Sequence, residues 1–450
     1  MGRPVSAEMM GSRQSLWRAV LLLGLAALAW RITAVGVAGR AVGTLDTVGE
    51  AAARQALDWY PGQAAALYRL GVGSLRRDGG AAERLLAAAY LHNPTDQRAL
   101  VMLAGIALGR GESGRADALV EQAGVLRPVD PWVQQDLGRY WLERGQPQRA
   151  FQHWALALEA NPRLSSALFA TFRQLLKEPA MHDAFASLTR APPPWWNTFF
   201  TDTAKRAETV ESVRQLYRMR RESTEVPLTY PERQAYFERL LRDGLIEEAY
   251  LAWANSLNAE QRQRLGPLFN GGFEGSLTGL GFDWQVGKVD RAEIAPAHAE
   301  GDDRQALRLR FRLLREPFDQ LAQPLFLSAG AYAVAGSFRS RDLMSEGGFR
   351  WVVRCRAPAQ TLLGESARIF GAEPWTPFRF EIEVPGDCLY QEIRLVSADA
   401  SGLDKTLTDG ELWFDDMSIR RIDGLSPEAR ASIEGLRAEE QAAEKKPGGH

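Results

Sequence analysis

The chain has 450 residues, of which 45% are hydrophobic and 24% charged, and its net charge at neutral pH is −2. This is the balance of an ordinary globular protein with room for about two or three domains, and it provides no overall positive field for holding nucleic acid. The five histidines (His92, His153, His182, His298 and His450) fall at no metal-ligand spacing, and no Gly-x-Ser-x-Gly, Gly-rich phosphate loop or His-based zinc motif is present, so a non-enzymatic role is expected. The N-terminus carries a membrane signal. Arg3, Arg13 and Arg18 precede an apolar run over 19–30, Arg31 interrupts it, and 32–39 continues apolar. With Arg31 snorkelling, the run is long enough to cross a bilayer. A cleavable signal peptide ending near Ala34, Gly36 or Ala38 and a buried helix of a soluble domain are the alternatives. The anchor reading makes 1–15 a cytoplasmic N-terminus and 16–38 the transmembrane helix. The bulk of the chain then lies in the periplasm of a Gram-negative bacterium, held by a single pass through the inner membrane.

Residues 44–60 read as a first helix, with Leu45, Val48, Ala52, Ala56 and Trp59 at helical spacing. A repeat follows. Pro94, Pro128 and Pro162 are 34 residues apart, Pro61 lies 33 before Pro94, and each follows a helical segment. Leu137, Gly138, Trp141, Gly145, Ala150, Trp154 and Ala157 of one unit answer to Leu103, Ala104, Ala107, Gly111, Ala116, Val120 and Ala123 of the unit before it. Leu70, Gly71, Ser74, Ala82, Leu86 and Ala89 form an earlier copy, one residue shorter. Small residues at Gly71, Ala104 and Gly138 suit close helix crossings, and Gly111 and Gly145 suit turns. Proline stops each second helix. The pattern resembles the tetratricopeptide repeat, and Tyr236, Phe237, Leu240, Gly244, Ala249, Trp253 and Ser256 match it again. The resemblance implies an interaction scaffold over 44–265 with protein partners. Its concave groove would show Tyr68, Arg69, Arg98, Gln134, Gln135 and Arg139.

Between the repeats, 164–177 reads as a helix. The stretch Ala191-Pro-Pro-Pro-Trp-Trp196 reads as a rigid loop whose tryptophans plug the stack or line a groove. Residues 205–221 read as a basic helix, either solvated or a partner surface. From Gly266-Pro267 the period changes to two, as in Leu307, Leu309, Phe311 and Leu313 alternating with Arg308, Arg310 and Arg312. Strands are also expected over 331–338, 349–355, 378–384, 392–396 and 411–420, which points to an antiparallel sandwich over 266–422. The remaining 423–450 reads as a charged tail, a solvated helix or disordered, with an unstructured Gly448-Gly449-His450 end.

Asn270-Gly-Gly-Phe-Glu274 at the start and Asp415-Asp416 in the last strand resemble the ends of jelly-roll carbohydrate-binding modules. That resemblance implies a structural calcium held by Glu274 with Asp415 or Asp416; a hydrogen-bonded acidic pair is the alternative. It also implies glycan contact through exposed aromatics, with Trp375 favoured over Trp284, Trp351 and Trp413. Arg308, Arg310 and Arg312 share a strand face, as do Arg350, Arg354 and Arg356; neighbouring strands would give a basic face for acidic glycan, unless Glu381 and Glu383 pair with it. Cys355 and Cys388, both at strand edges, are expected to form a disulfide if exported, free buried thiols being the alternative. The fold expected is therefore multidomain α + β: a transmembrane helix, an α-solenoid of helical hairpins and a C-terminal antiparallel β-sandwich of jelly-roll type. The function expected is a scaffold or adaptor in cell-envelope or exopolysaccharide assembly or export. A glycan-binding sensor or surface module and a glycan-active enzyme are the alternatives.

Overall fold

The computed structural model describes residues 7–42, 49–126, 128–223, 226–299, 304–371, 374–397 and 407–444, with side chains from 17 to 438. Residues 1–6, Leu45 and Val48 of the expected first helix, Arg127, and Gly448-Gly449-His450 lie outside the described residues. The chain divides into two compact units, Met1–Trp195 and Trp196–His450.

The first unit is helical. Helix α1 (Ala7–Val42) contains the stretch Trp17–Ala41, 25 residues long and apolar enough to cross a membrane. Its last turns bury Ala34 and Ala38, and Ala38 packs with Ala53 and Ala56 of α2 (Glu50–Trp59). Three hairpins follow, α3 (Ala64–Ser74) with α4 (Gly79–His92), α5 (Arg98–Gly109) with α6 (Ser113–Leu126), and α7 (Pro131–Glu143) with α8 (Pro147–Ala160). Aspartates start two of these helices. Asp78 caps α4 by accepting from the Ala81 amide at 2.9 Å, and Asp130 caps α7 by accepting from the Trp132 amide at 3.1 Å. The turns fall at Gly111 and Gly145, whose φ values of +80° and +68° cost a glycine little. At Gly138 the helices of a hairpin nearly touch: a Cβ there would lie 2.3 Å from Trp154 Nε1, which itself donates to the Gln135 carbonyl at 3.1 Å. Helices α9 (Ser165–Leu175) and α10 (His182–Arg190) extend the stack, and Trp195 closes its aromatic core against Phe169 and Phe172 with ring centroids 6.1 and 5.7 Å away.

The second unit opens with five helices, α11 (Trp196–Arg206), α12 (Val210–Glu222), α13 (Tyr230–Arg242), α14 (Ile246–Ser256) and the short α15 (Ala259–Arg262). The expected basic helix over 205–221 is thus divided between the end of α11 and α12, with Ala207-Glu208-Thr209 in between. Hairpin α13–α14 is the matched repeat unit, turning at Gly244 with φ +76°. A buried ion pair holds these helices. Arg220 and Glu232 are both fully buried; the guanidinium Nε donates to Glu232 Oε1 at 2.5 Å, Trp196 Nε1 donates to the same oxygen at 2.7 Å, and the Thr229 amide donates to Oε2 at 2.7 Å. Arg220 also donates to the carbonyls of Val226 and Pro227 at 3.2 and 3.0 Å, so the pair is satisfied on every side.

The sandwich has ten strands among the described residues: β1 (Gln285–Val286), β2 (Ala292–His298), β3 (Gln305–Leu314), β4 (Leu321–Leu325), β5 (Gly330–Met344), β6 (Phe349–Ala357), β7 (Leu362–Glu365), β8 (Thr376–Val384), β9 (Tyr390–Ser397) and β10 (Thr408–Ile422). They make two five-stranded antiparallel sheets, ordered β1-β4-β9-β6-β7 and β2-β3-β10-β5-β8. Leu307, Leu309, Phe311, Leu412 and Phe414 from one sheet meet Trp351, Val353, Ile393 and Leu395 from the other. Trp284, together with Trp351, lies in this core rather than on a surface, with ring centroids 5.7 Å apart. Helix α16 (Pro427–Glu444) buries Ile433; the Ser426 amide just before it donates to Glu381 Oε2 on β8 at 2.8 Å.

Two changes test this account. Gly138→Ala forces Trp154 or its helix to shift, and a loss of about 1–3 kcal/mol in urea unfolding is expected. His153 is held below the usual histidine range by burial, with the Arg149 charge adding. Its unfolded form takes up a proton more readily than the folded one. The neutral ring's contribution is therefore complete above the unfolded pKa of about 6.5 and is lost as pH falls below it; His153→Gln should flatten this decline in melting temperature.

Candidate functional site

The sheet β2-β3-β10-β5-β8 shows its other side to solvent, and strand alternation decides what stands there. Because Leu307, Leu309, Leu412 and Phe414 point into the core, Arg308, Arg310, Glu411 and Trp413 point out. Trp413 opposes Arg308 on β3 and Arg339 on β5. It packs with Ala299 and Ala306, and Ala297 and Trp375 rest against that cluster. Trp375, just before β8, is half-buried. Two guanidiniums cover the rings. Arg304 lies 5.3 Å from the Trp375 centroid and Arg308 lies 5.8 Å from that of Trp413. Trp375 Nε1 and Arg308 Nε are buried without a hydrogen-bond partner among the described residues.

The structure thus brings Trp375, Arg308 and Arg310 together on one face and adds Trp413 and Arg304. Trp413, a less favoured candidate in the sequence, stands between inward Leu412 and Phe414 and so faces outward. Arg312 stands apart, beside Leu313 (φ +53°) where β3 shifts register against β10, and joins none of the ion pairs or ring contacts of this face seen among the described residues. The face is not strongly basic. Arg308 pairs with Glu293 at 3.3 Å, Arg310 lies 3.7 Å from Glu411, and Arg304 lies 3.6 Å from Asp415. The second arginine group lies in the opposite sheet, since β6 pairs with β7 and β9; Arg350 there bonds Glu365 at 2.7 Å and Arg356 lies 3.9 Å from Glu392. Glu381 and Glu383 pair instead with Arg379 and Arg437, at 3.4 and 3.6 Å.

Asp415 and Asp416 stand at one end of this face, near enough to Glu274 for Asp415 to feel its charge. The Met417 amide donates to the Gly271 carbonyl at 3.0 Å, which ties the opening segment to a bulge in β10 where Asp416 has φ +55°. Burial first, then the charges of Asp416 and Glu274, push the Asp415 carboxyl up to about 6, against the pull of Arg304. Arg304 also lies 3.6 Å from Asp416. Among the described residues no group of three or more His, Cys, Asp or Glu side chains converges on a metal position. As arranged, Arg304 bridges the Asp415 and Asp416 carboxylates. Elsewhere in the sandwich, Cys355 and Cys388 are joined as a disulfide with Cα atoms 5.8 Å apart.

The repeat residues divide. Tyr68 on α3 and Arg98 on α5 meet, with the guanidinium 5.2 Å from the ring, and Arg98 bonds Asp96 at 2.5 Å. The Tyr68 hydroxyl is raised by burial first, with the charges of Asp96 and Asp136 adding and that of Arg98 opposing. Arg139 is exposed and pairs with Asp136 at 2.7 Å. Arg69 is half-buried; so is Gln135, whose carbonyl is taken by Trp154. Gln134 is buried and is not a groove residue: it sits beside Val133 on the side of α7 that packs on α8, and its Oε1 meets His153 Nδ1 at 2.6 Å.

No family model matches the chain, and no curated protein does either. Among solved structures, a carbohydrate-binding module of family 4 is similar at 12% identity and TM-score 0.26, covering 34% of this chain and 99% of the module. A family 16 carbohydrate-binding module is similar at 13% identity and TM-score 0.26, covering 35% of this chain and all (100%) of the module. The PilF protein of Pseudomonas aeruginosa is similar at 18% identity and TM-score 0.28, covering 51% of this chain and 96% of PilF. These likenesses assign no ligand or partner to this chain.

The two tryptophans of the outer face differ in burial, which sets their expected contributions. Trp413→Ala opens a void over Ala306 and should cost about 2–4 kcal/mol in denaturant unfolding, whereas Trp375→Ala, already partly in water, should cost about 1 kcal/mol.

Proposed function

We propose that the protein is a membrane-anchored scaffold of the cell envelope whose helical hairpins bind protein and whose β-sandwich binds glycan, serving polysaccharide assembly or export. The observation that carries the glycan half is the pairing of Trp375 and Trp413 over an alanine floor, flanked by Arg304 and Arg308. Flat aromatic rings take the apolar face of a sugar, and guanidiniums donate to its hydroxyls or carboxylates in fixed fork geometry. Such a face holds a ligand through stacking and charge-assisted hydrogen bonds. The protein half is supported by stacked hairpins in which Tyr68 and Arg98 of successive first helices meet and Arg139 of the next is exposed. Arg13 and Arg18 before the apolar run favour a cytoplasmic N-terminus, and the reading that the bulk of the chain is periplasmic rests on that charge bias.

Binding of the full chain to an array of neutral and acidic bacterial polysaccharides tests this reading. Retention of at least one glycan is expected, with affinity falling tenfold or more in Trp375→Ala. Glycan retention unchanged in both Trp375→Ala and Trp413→Ala would remove the sheet face from the account.

A further inference from the structure

The second unit contains a groove of about 790 Å³ that is separate from the tryptophan face, lying between α12, α14 and two loops of the sandwich. Its floor is fixed. Tyr217 and Tyr236 stack with centroids 3.8 Å apart and planes 12° from parallel. Beside them Arg214 donates to Glu248 Oε1 at 2.9 Å and the Tyr236 hydroxyl donates to the same oxygen at 3.0 Å. That pair is internally neutralised, so the floor offers shape and little net charge.

The rim is different. Arg218 and Arg221 lie three residues apart, on one side of α12, and both are exposed. Neither has an ion-pair partner among the described residues; Arg218 donates to Gln215 at 3.2 Å. Glu247 is the one unpaired carboxylate lining the groove among the described residues, which leaves the rim net positive. Three large apolar side chains stand in water around the same opening: Leu251 on α14 is 51% exposed, Phe326 after β4 is 41% exposed, and Leu389 before β9 is 48% exposed. Single exposed apolar residues need no explanation, but three around one concave, positively rimmed opening mark an interaction site.

We propose that this groove docks an acidic segment of a partner protein that carries large apolar side chains. The chemistry selects that occupant. Carboxylates at a spacing of about one helical turn reach Arg218 and Arg221 together. Leucine or phenylalanine on the neighbouring face is removed from water against Leu251, Phe326 and Leu389, as in other helix-in-groove or extended-peptide contacts. A basic segment is repelled by the two arginines, and a purely acidic one leaves the apolar rim exposed.

The test uses the full chain in detergent and a random dodecapeptide display library, followed by fluorescence anisotropy on the enriched peptides. The expected result is enrichment of sequences with two or more Asp or Glu and two or more large apolar residues. Their affinity should fall with salt and drop tenfold or more for Arg218→Glu/Arg221→Glu and for Leu251→Asp. Arg218→Gln/Arg221→Gln should lose less, and unchanged thermal melting of these variants separates lost docking from lost folding. Failure to enrich acidic sequences, or enriched peptides that bind the charge-reversed chain equally well, overturns the proposal. So does displacement of the peptides by oligogalacturonate or by anionic phospholipid vesicles. None of these outcomes depends on whether the tryptophan face binds glycan.

Discussion

The second unit depends on one close approach, that of the segment at Gly271 to strand β10. The Met417 amide bonds the Gly271 carbonyl, and a Cβ at Gly271 would come within 2.0 Å of the Met417 carbonyl oxygen, so only glycine fits there. Trp284 Nε1 donates to the Asn270 carbonyl at 3.2 Å, which fixes the same turn from the core side. β10 has β3 on one side and β5 on the other. It sends Leu412 and Phe414 inward and displays Glu411, Trp413 and Asp415 outward. The contact that closes the sandwich therefore also sets the orientation of the candidate binding face.

Buried charge does comparable work among the helices. Arg220 and Glu232 are fully out of water, and removing one partner of such a pair strands the other, a loss of about 3–5 kcal/mol. The same pair reaches Trp196, Thr229 and the carbonyls of Val226 and Pro227, so it locks α11, the α12–α13 connection and α13 in one arrangement. The groove beside α12 is built on that locked frame. Its exposed Arg218 lies nearly opposite the buried Arg220 around the helix, and Arg221 about a quarter turn from it.

Much of this was legible in the sequence where a period enforces it. The proline spacing and the small residues at Gly71, Gly111, Gly138 and Gly145 indicated hairpins, turns and close crossings, because each answers a local steric demand. The alternation in β3 placed Leu307, Leu309 and Phe311 inside and Arg308 and Arg310 outside for the same reason. What failed was pairing between distant strands. Nothing local says that β6 joins the opposite sheet, so whether the two arginine sets share one face stayed open in the sequence; the structure puts them, with their carboxylate partners, on separate sheets. Strands β2 and β4 escaped notice because Pro296 and Pro324 interrupt them. Pro296 is tolerated on an edge strand, and Pro324 lies beyond the two residues of β1 that pair with β4. Gln134 read as a surface residue because glutamine usually is one, and its half-buried partner His153 is 19 residues away. The groove at Arg218 and Arg221 had no sequence signal beyond positive charge, since its apolar rim is assembled from three separate segments.

The claim that organises the account is that the sandwich holds glycan on the outer face of β3, β10 and β5. Hydrogen–deuterium exchange of the full chain, with and without bacterial envelope polysaccharide, tests it most directly. The account predicts slowed exchange in Gln305–Leu314 and in the first half of Thr408–Ile422, with Phe349–Ala357 of the opposite sheet unchanged. Protection confined to the β6 sheet, or to the helices, would contradict it.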